Sequence, residues 1–175
     1  MLSQNKKDIL TELAGGDLRS DGKANDVAGQ IIEQPVLLRD LIAGFDSENE
    51  IIRMRTAHAV EVISRNNGDL LAGYKPRLIE CIKNDSLPET RWHLAQVFGN
   101  ISLSDREIKA ILPVLFEFLS SGTVLVKAWT IVCLGDIARE NPKFAKEIVK
   151  HISTLEADPS AAVRNRVKQV LNYLT

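Results

Sequence analysis

The residue types best suited to chemistry gather around one run, Arg91-Trp92-His93, with Arg55, His58, Gln96, Trp129 and Asp136 at related positions elsewhere in the chain. His58, His93 and Asp136 are the raw material of an acid–base or metal site, because imidazole and carboxylate serve both purposes. Trp92, Trp129 and Arg55 point instead to contact with a partner, since aromatics and arginine dominate interface energetics. The spacing weakens the first reading. No His-Glu dipeptide occurs, the residues after the three histidines being Ala59, Leu94 and Ile152, and His58 and His93 fall at different positions of separate helices. No catalytic residue, metal or cofactor is therefore expected.

What must position these side chains is a repeat. Arg53, Arg91, Lys127 and Arg164 each open an amphipathic helix after a polar turn, at spacings of 38, 36 and 37 residues. A near-constant period of about 20–50 residues is the signature of a stacked repeat architecture. Ahead of each lies another helical stretch. Pro35 begins the first of these, with Val36-Leu37-Leu38 and Leu41-Ile42 following. The second runs from Leu70 to Ile82, and Pro76 within it implies either a kink or a later start near Tyr74. In the third, Ser104 and Glu107 have capping-box spacing, and Pro113 is expected to bend the helix. Asn141-Pro142 reads as the cap and first position of the fourth.

The N-terminal part is less regular. Residues 5–14 and 23–33 are expected as two short helices separated by Gly15-Gly16 and a polar turn, a degenerate pair covering the first full unit. The expectation is one all-α domain over 1–175, with 1–34 as that pair and 35–175 as four repeats. Ten helices in five antiparallel pairs would then stack as a right-handed α-solenoid.

Composition agrees with a folded helical protein. Hydrophobic residues make up 45% and charged residues 26%, while aromatics at 5% leave an aliphatic core. A net charge of −1 and a pI near 6.3 argue against a dedicated nucleic-acid binder, which carries a basic domain or stripe. The charge is uneven, however, with five Lys/Arg against ten Asp/Glu in residues 1–50 and seventeen against thirteen thereafter. Cys81 and Cys133 fall at apolar helix positions and read as small buried hydrophobes. The opening residues contain no long apolar stretch, and no run approaches the ~18 apolar residues of a membrane span. A cytoplasmic location with no membrane association is the resulting expectation.

The repeated units resemble HEAT repeats over roughly residues 35–175. The resemblance rests on an Asp in the turn and a basic residue opening the second helix: Asp85 with Arg91, Asp158 with Val163-Arg164, and Asp46 with Arg53 one residue further apart. It implies that Asp and Arg tie successive turns together. The third unit departs, with Ser121 and Lys127 in these places, so the tie there is expected to be weaker. Val97-Phe98-Gly99-Asn100-Ile101 and Cys133-Leu134-Gly135-Asp136-Ile137 also resemble the short HEAT-like repeats of phycobilisome lyases, with glycine admitting close helix packing at a cost of ~1 kcal/mol in propensity.

In such solenoids the second helices line a concave binding face. Counting from each basic residue as zero, positions +3, +7 and +10 face the core; +1, +5 and +8 point away from it, with +2 and +9 on the flank. The expected concave patch is Trp92, Trp129, Arg55, His58, His93, Gln96 and Asp136. Each tryptophan is either an anchor for a partner or a filler between neighbouring repeats. A non-enzymatic scaffold that binds another protein is the leading reading. The alternatives are nucleic-acid binding, as in the similar HEAT-like alkylpurine glycosylases, and a HEAT-like lyase or accessory enzyme. Lys143, Lys146, Lys150, Arg164, Arg166 and Lys168 would favour nucleic acid only if they shared one face. The last helix is expected to have Val167, Val170 and Leu171 covered on one side only, which would allow self-association through the C-terminal end.

Overall fold

The computed structural model describes residues 8–174, and among them ten α-helices and short 3₁₀ turns account for all the regular structure. The expected helix over residues 5–14 lies partly outside the described residues; its described part is α1, Ile9–Leu13. Then follow α2 (Ala24–Glu33), α3 (Leu38–Ile42), α4 (Glu50–Asn67), α5 (Lys75–Asn84), α6 (Pro88–Asn100), α7 (Asp105–Ser121), α8 (Val124–Glu140), α9 (Ala145–Ser153) and α10 (Ala161–Leu174). Successive helices pair, and the second helix of each pair stacks on the next, α2 on α4, α4 on α6, α6 on α8 and α8 on α10. The result is an all-α solenoid with one continuous aliphatic core.

Helix starts follow local chemistry. The Asn49 side chain accepts a hydrogen bond from the Ile51 N–H at 2.9 Å and caps α4. Ser104 and Glu107 form the capping box of α7. Pro76 sits in the first turn of α5 after a 3₁₀ segment over Gly68–Tyr74, so the later start is the one adopted. Pro113 lies inside α7, which runs uninterrupted as α-helix. Asn141 departs from expectation. Its side-chain amide donates back to the Ile137 carbonyl at 3.2 Å, closing the end of α8 rather than capping the 3₁₀ turn Pro142–Phe144 that follows.

The core columns are as the repeat predicts. Thr56, Val60 and Ile63 in α4, Leu94 and Phe98 in α6, and Thr130 and Leu134 in α8 are almost fully buried. The turns are tied in a ladder. Arg53 Nε donates to Asp85 Oδ2 of the next unit at 3.2 Å, and Lys127 Nζ donates to Asp158 Oδ2 of the next at 2.9 Å. That hydrogen bond, with one from the Ser160 N–H, holds the Asp158 carboxyl below the usual carboxylate range. Between them, Arg91 meets no carboxylate ahead among the described residues. It donates to the Asp85 carbonyl at 2.8 Å and lays its guanidinium over the Phe118 ring.

At the C-terminal end, Val163, Val167 and Val170 are buried against the chain itself, at most 1% exposed. The outer side of α10 carries Asn165, Lys168, Gln169 and Asn172, all exposed. This corrects the expectation of one-sided cover for Val167 and Val170, while Leu171 is half-buried. Gly135 is a second consequence of close stacking: the Tyr173 hydroxyl lies 2.2 Å from where a β-carbon would stand.

Candidate interaction groove

The second helices α4, α6 and α8 leave a groove of about 260 Å³ between them, lined by Glu61, Arg65, Gln96, Asn100, Trp129 and Asp136, with Gly99, Val132 and Cys133 in its wall. Gly99 lets the backbones approach, its missing β-carbon facing the Cys133 Cα at 3.3 Å. Three residues of the expected patch, Gln96, Trp129 and Asp136, line this groove. Four do not.

Arg55 is the largest correction. It was expected on the concave flank but is 2% exposed, its guanidinium enclosed by the loop between α1 and α2. It donates to the carbonyls of Leu13 at 2.9 Å, Gly15 at 2.5 Å and Ser20 at 3.1 Å, with longer contacts to Ala14 and Asp17. Gly16 and Gly22 adopt positive φ around it, and a β-carbon on Gly22 would fall 2.5 Å from the Arg55 Cζ. The residue clamps the N-terminal pair onto α4.

His58 and His93 are also buried rather than displayed, at 7% and 2% exposure. Different columns do not keep them apart: their rings stack across α4 and α6 with centroids 4.6 Å apart and planes 15° from parallel. Neither Nδ1 has a hydrogen-bond partner, although His58 Nδ1 lies 3.4 Å from Asp21 Oδ1. Burial drives both imidazoles toward the neutral form. It is opposed at His58 by Asp21 and Glu61, and at His93 it is reinforced by His58 and Arg65, so that His93 is pushed down to about 3. Stacked rings direct their nitrogens in parallel planes, which is unsuited to sharing one metal ion. Among the described residues no group of three or more His, Cys, Asp or Glu side chains could hold a metal. Trp92 is half-buried, packs against the core and stacks on His93 at 3.6 Å.

Counting positions along a single helix gives each helix one buried side, which does not hold here. A second helix inside a solenoid touches both neighbours, so its flanks are covered too. Glu61, at an expected outward position, shows the consequence. It is 2% exposed and accepts two hydrogen bonds from Arg65, both at 2.7 Å. Arg65 and Asn100 complete the groove without belonging to the expected patch: Arg65 stands at +12 after Arg53, beyond the columns considered, whereas Asn100 stands at +9 after Arg91, the flank column that also holds Asp136.

Electrostatics in the groove centre on Asp136, half-buried and paired with Arg139 at 3.0 Å. Burial raises its pKa, and Arg139 opposes the rise. The Cys133 thiol beneath is pushed up by burial and stays protonated.

No protein-family model matches this chain, and no curated protein matches it. Solved structures do. An engineered protein aligns with a TM-score of 0.69 at 18% identity, covering 95% of this chain and 79% of its own. A designed armadillo repeat protein in complex with the peptide (KR)4 aligns at 0.68 and 16%, covering 95% and 80%. A computationally designed armadillo repeat protein for modular peptide recognition aligns at 0.68 and 15%, covering 95% and 81%. The fold is a HEAT/armadillo-like helical-repeat solenoid. Among the described residues no helix is long and apolar enough to cross a membrane.

Proposed function

We propose that this chain is a non-enzymatic scaffold that binds a segment of another protein in the groove between α4, α6 and α8. The observation that carries the reading is Trp129. Its indole is half-buried at the groove wall among hydrogen-bonding groups, Gln96, Asn100 and Asp136, whereas Trp92 is committed to packing. A partly exposed aromatic ringed by polar groups is the composition of an interface anchor. Two armadillo designs with the same fold recognise peptides, by their own descriptions, which adds support from analogy of shape. A preformed groove on stacked helices lowers the ordering cost of binding.

Filling the groove tests this directly. Val132→Arg places a long side chain where Val132, half-buried, now forms the wall. The variant is expected to keep its helical circular dichroism and lose the proteins retained by the wild type on affinity capture. Retention of all of them by a folded variant would reject the groove as the binding site.

A further inference from the structure

Charge in and beside the groove is layered. The carboxylates lie beneath and the guanidinium groups above them: Glu61 is 2% exposed under Arg65 at 55%, and Asp136 is 21% exposed under Arg139 at 56%. A ligand approaching the groove meets Arg65 and Arg139 above their carboxylates, with Glu140 the exposed carboxylate beside Arg139. Arg139 and a further cation, Arg166, are braced on aromatic faces of the neighbouring helix in a reciprocal arrangement. Arg166 of α10 lies 5.6 Å from the Trp129 ring of α8, and Arg139 of α8 lies 5.8 Å from the Tyr173 ring of α10. A guanidinium stacked on a ring keeps its in-plane N–H edges available for planar oxygen pairs, and its orientation is fixed in advance; Arg139 already commits one of those groups to Asp136 at 3.0 Å and has the others to offer. Arg166 donates to a neutral group, the Gln169 side-chain oxygen, at 3.1 Å. Helix α10 adds Lys168 and contains no Asp or Glu, while its Arg164 is tied to the Asp158 and Pro159 carbonyls at 2.7 and 2.9 Å.

We infer that the groove and the α8–α10 surface beside it receive a carboxylate-rich, acidic segment of a partner protein, with Arg139 and Arg166 pairing to its side chains and Trp129 packing beneath. The inference rests on the groove being the binding site and adds the chemistry of its occupant. Nucleic acid is the less favoured polyanion. The remaining late cations, Lys143, Lys146 and Lys150, belong to the 3₁₀ turn and α9, away from the second-helix face, and Lys143 is already paired with Asp105. That leaves too short a cationic row to track a phosphate backbone.

Fluorescence anisotropy across a salt series decides it, with three probes: a labelled glutamate-rich peptide, its lysine-for-glutamate counterpart and a single-stranded oligonucleotide. The expected result is binding of the acidic peptide, weakening as salt rises, and a loss of about tenfold in Arg139→Gln/Arg166→Gln, the scale of one or two charge-assisted hydrogen bonds. Circular dichroism checks that this double variant is folded. The inference is overturned if the acidic peptide does not bind, binds the double variant equally well, or binds more weakly than the oligonucleotide. Trp129→Ala run in parallel separates the two levels. A lysine peptide that binds in a Trp129-dependent way would keep the groove and discard the acidic partner; binding of any peptide indifferent to Trp129 would discard the groove.

Discussion

The guanidinium of Arg91 lies 4.8 Å from the centroid of the Phe118 ring, at the rung of the turn ladder where Arg53 and Lys127 each meet a carboxylate. Ser121 stands at the sequence position that would supply that carboxylate. An aromatic face thus replaces an ion pair between the second and third full units. The replacement has a measurable consequence. Arg53→Ala leaves Asp85, whose side chain is 9% exposed, without its cation, and such losses cost up to about 3–5 kcal/mol in buried settings. Arg53 is itself 20% exposed, which reduces the figure to roughly 2–3 kcal/mol. Arg91→Ala removes a cation–π contact and one hydrogen bond but strands no charge, for about 1–2 kcal/mol. Urea unfolding of the two variants should give the larger loss for Arg53→Ala; equal losses would show that the aromatic rung is worth as much as the ionic one.

Arg55 is predicted to govern the N-terminal pair alone. Arg55→Ala would leave the carbonyls of Leu13, Gly15 and Ser20 without the donor that gathers them, for ~3 kcal/mol or more. Lysine cannot reproduce a planar five-donor fork, so Arg55→Lys should fail as well. Hydrogen exchange is the appropriate readout. Amides of α1 and α2 should lose protection in both variants while those of α8 and α10 keep theirs. Uniform protection along the chain would show that the clamp is not needed.

Acid sensitivity should trace to His93. Its pKa is depressed from 6.5 to about 3 by burial, so the unfolded chain binds the proton that the folded chain refuses. Stability contributed by the neutral imidazole is complete above about pH 6.5 and declines as pH falls toward 3, at most about 1.4 kcal/mol per pH unit. His58, depressed in the same direction, adds to the decline. Replacing His93 by glutamine should flatten the stability profile between pH 6 and 4, measured by denaturant melts at each pH (about one proton fewer taken up on unfolding). A profile as steep as that of the wild type would place the acid sensitivity elsewhere.

The architecture could be read from the chain because its cause is local and repeated. Arg53, Arg91, Lys127 and Arg164 mark the period of a stacked repeat, and the helically spaced stripes they precede, such as Leu94 and Phe98, are buried as their spacing requires. The site was legible only in part. Gln96, Trp129 and Asp136 reach the groove, but Arg55, His58 and His93 are covered by neighbours that no single-helix projection includes. Arg55 is hidden by a loop some 35–42 residues earlier in the chain, which brings carbonyls to it through Gly16 and Gly22, glycines whose positive φ gives no warning of what they enclose. Trp92 and Trp129 occupy nearly equivalent places and diverge because His93 offers Trp92 a ring to stack on.

That divergence also provides the sharpest comparison. Quantitative affinity capture from the native cell, with Trp129→Ala and Trp92→Ala beside the wild type, sets the two indoles against each other. Removal of an interface anchor costs about 2 kcal/mol or more, roughly thirtyfold in affinity. The groove account predicts that Trp129→Ala loses the wild-type partners with its thermal midpoint little changed, while Trp92→Ala lowers the midpoint and keeps them. A folded Trp129→Ala that retains every partner would contradict it.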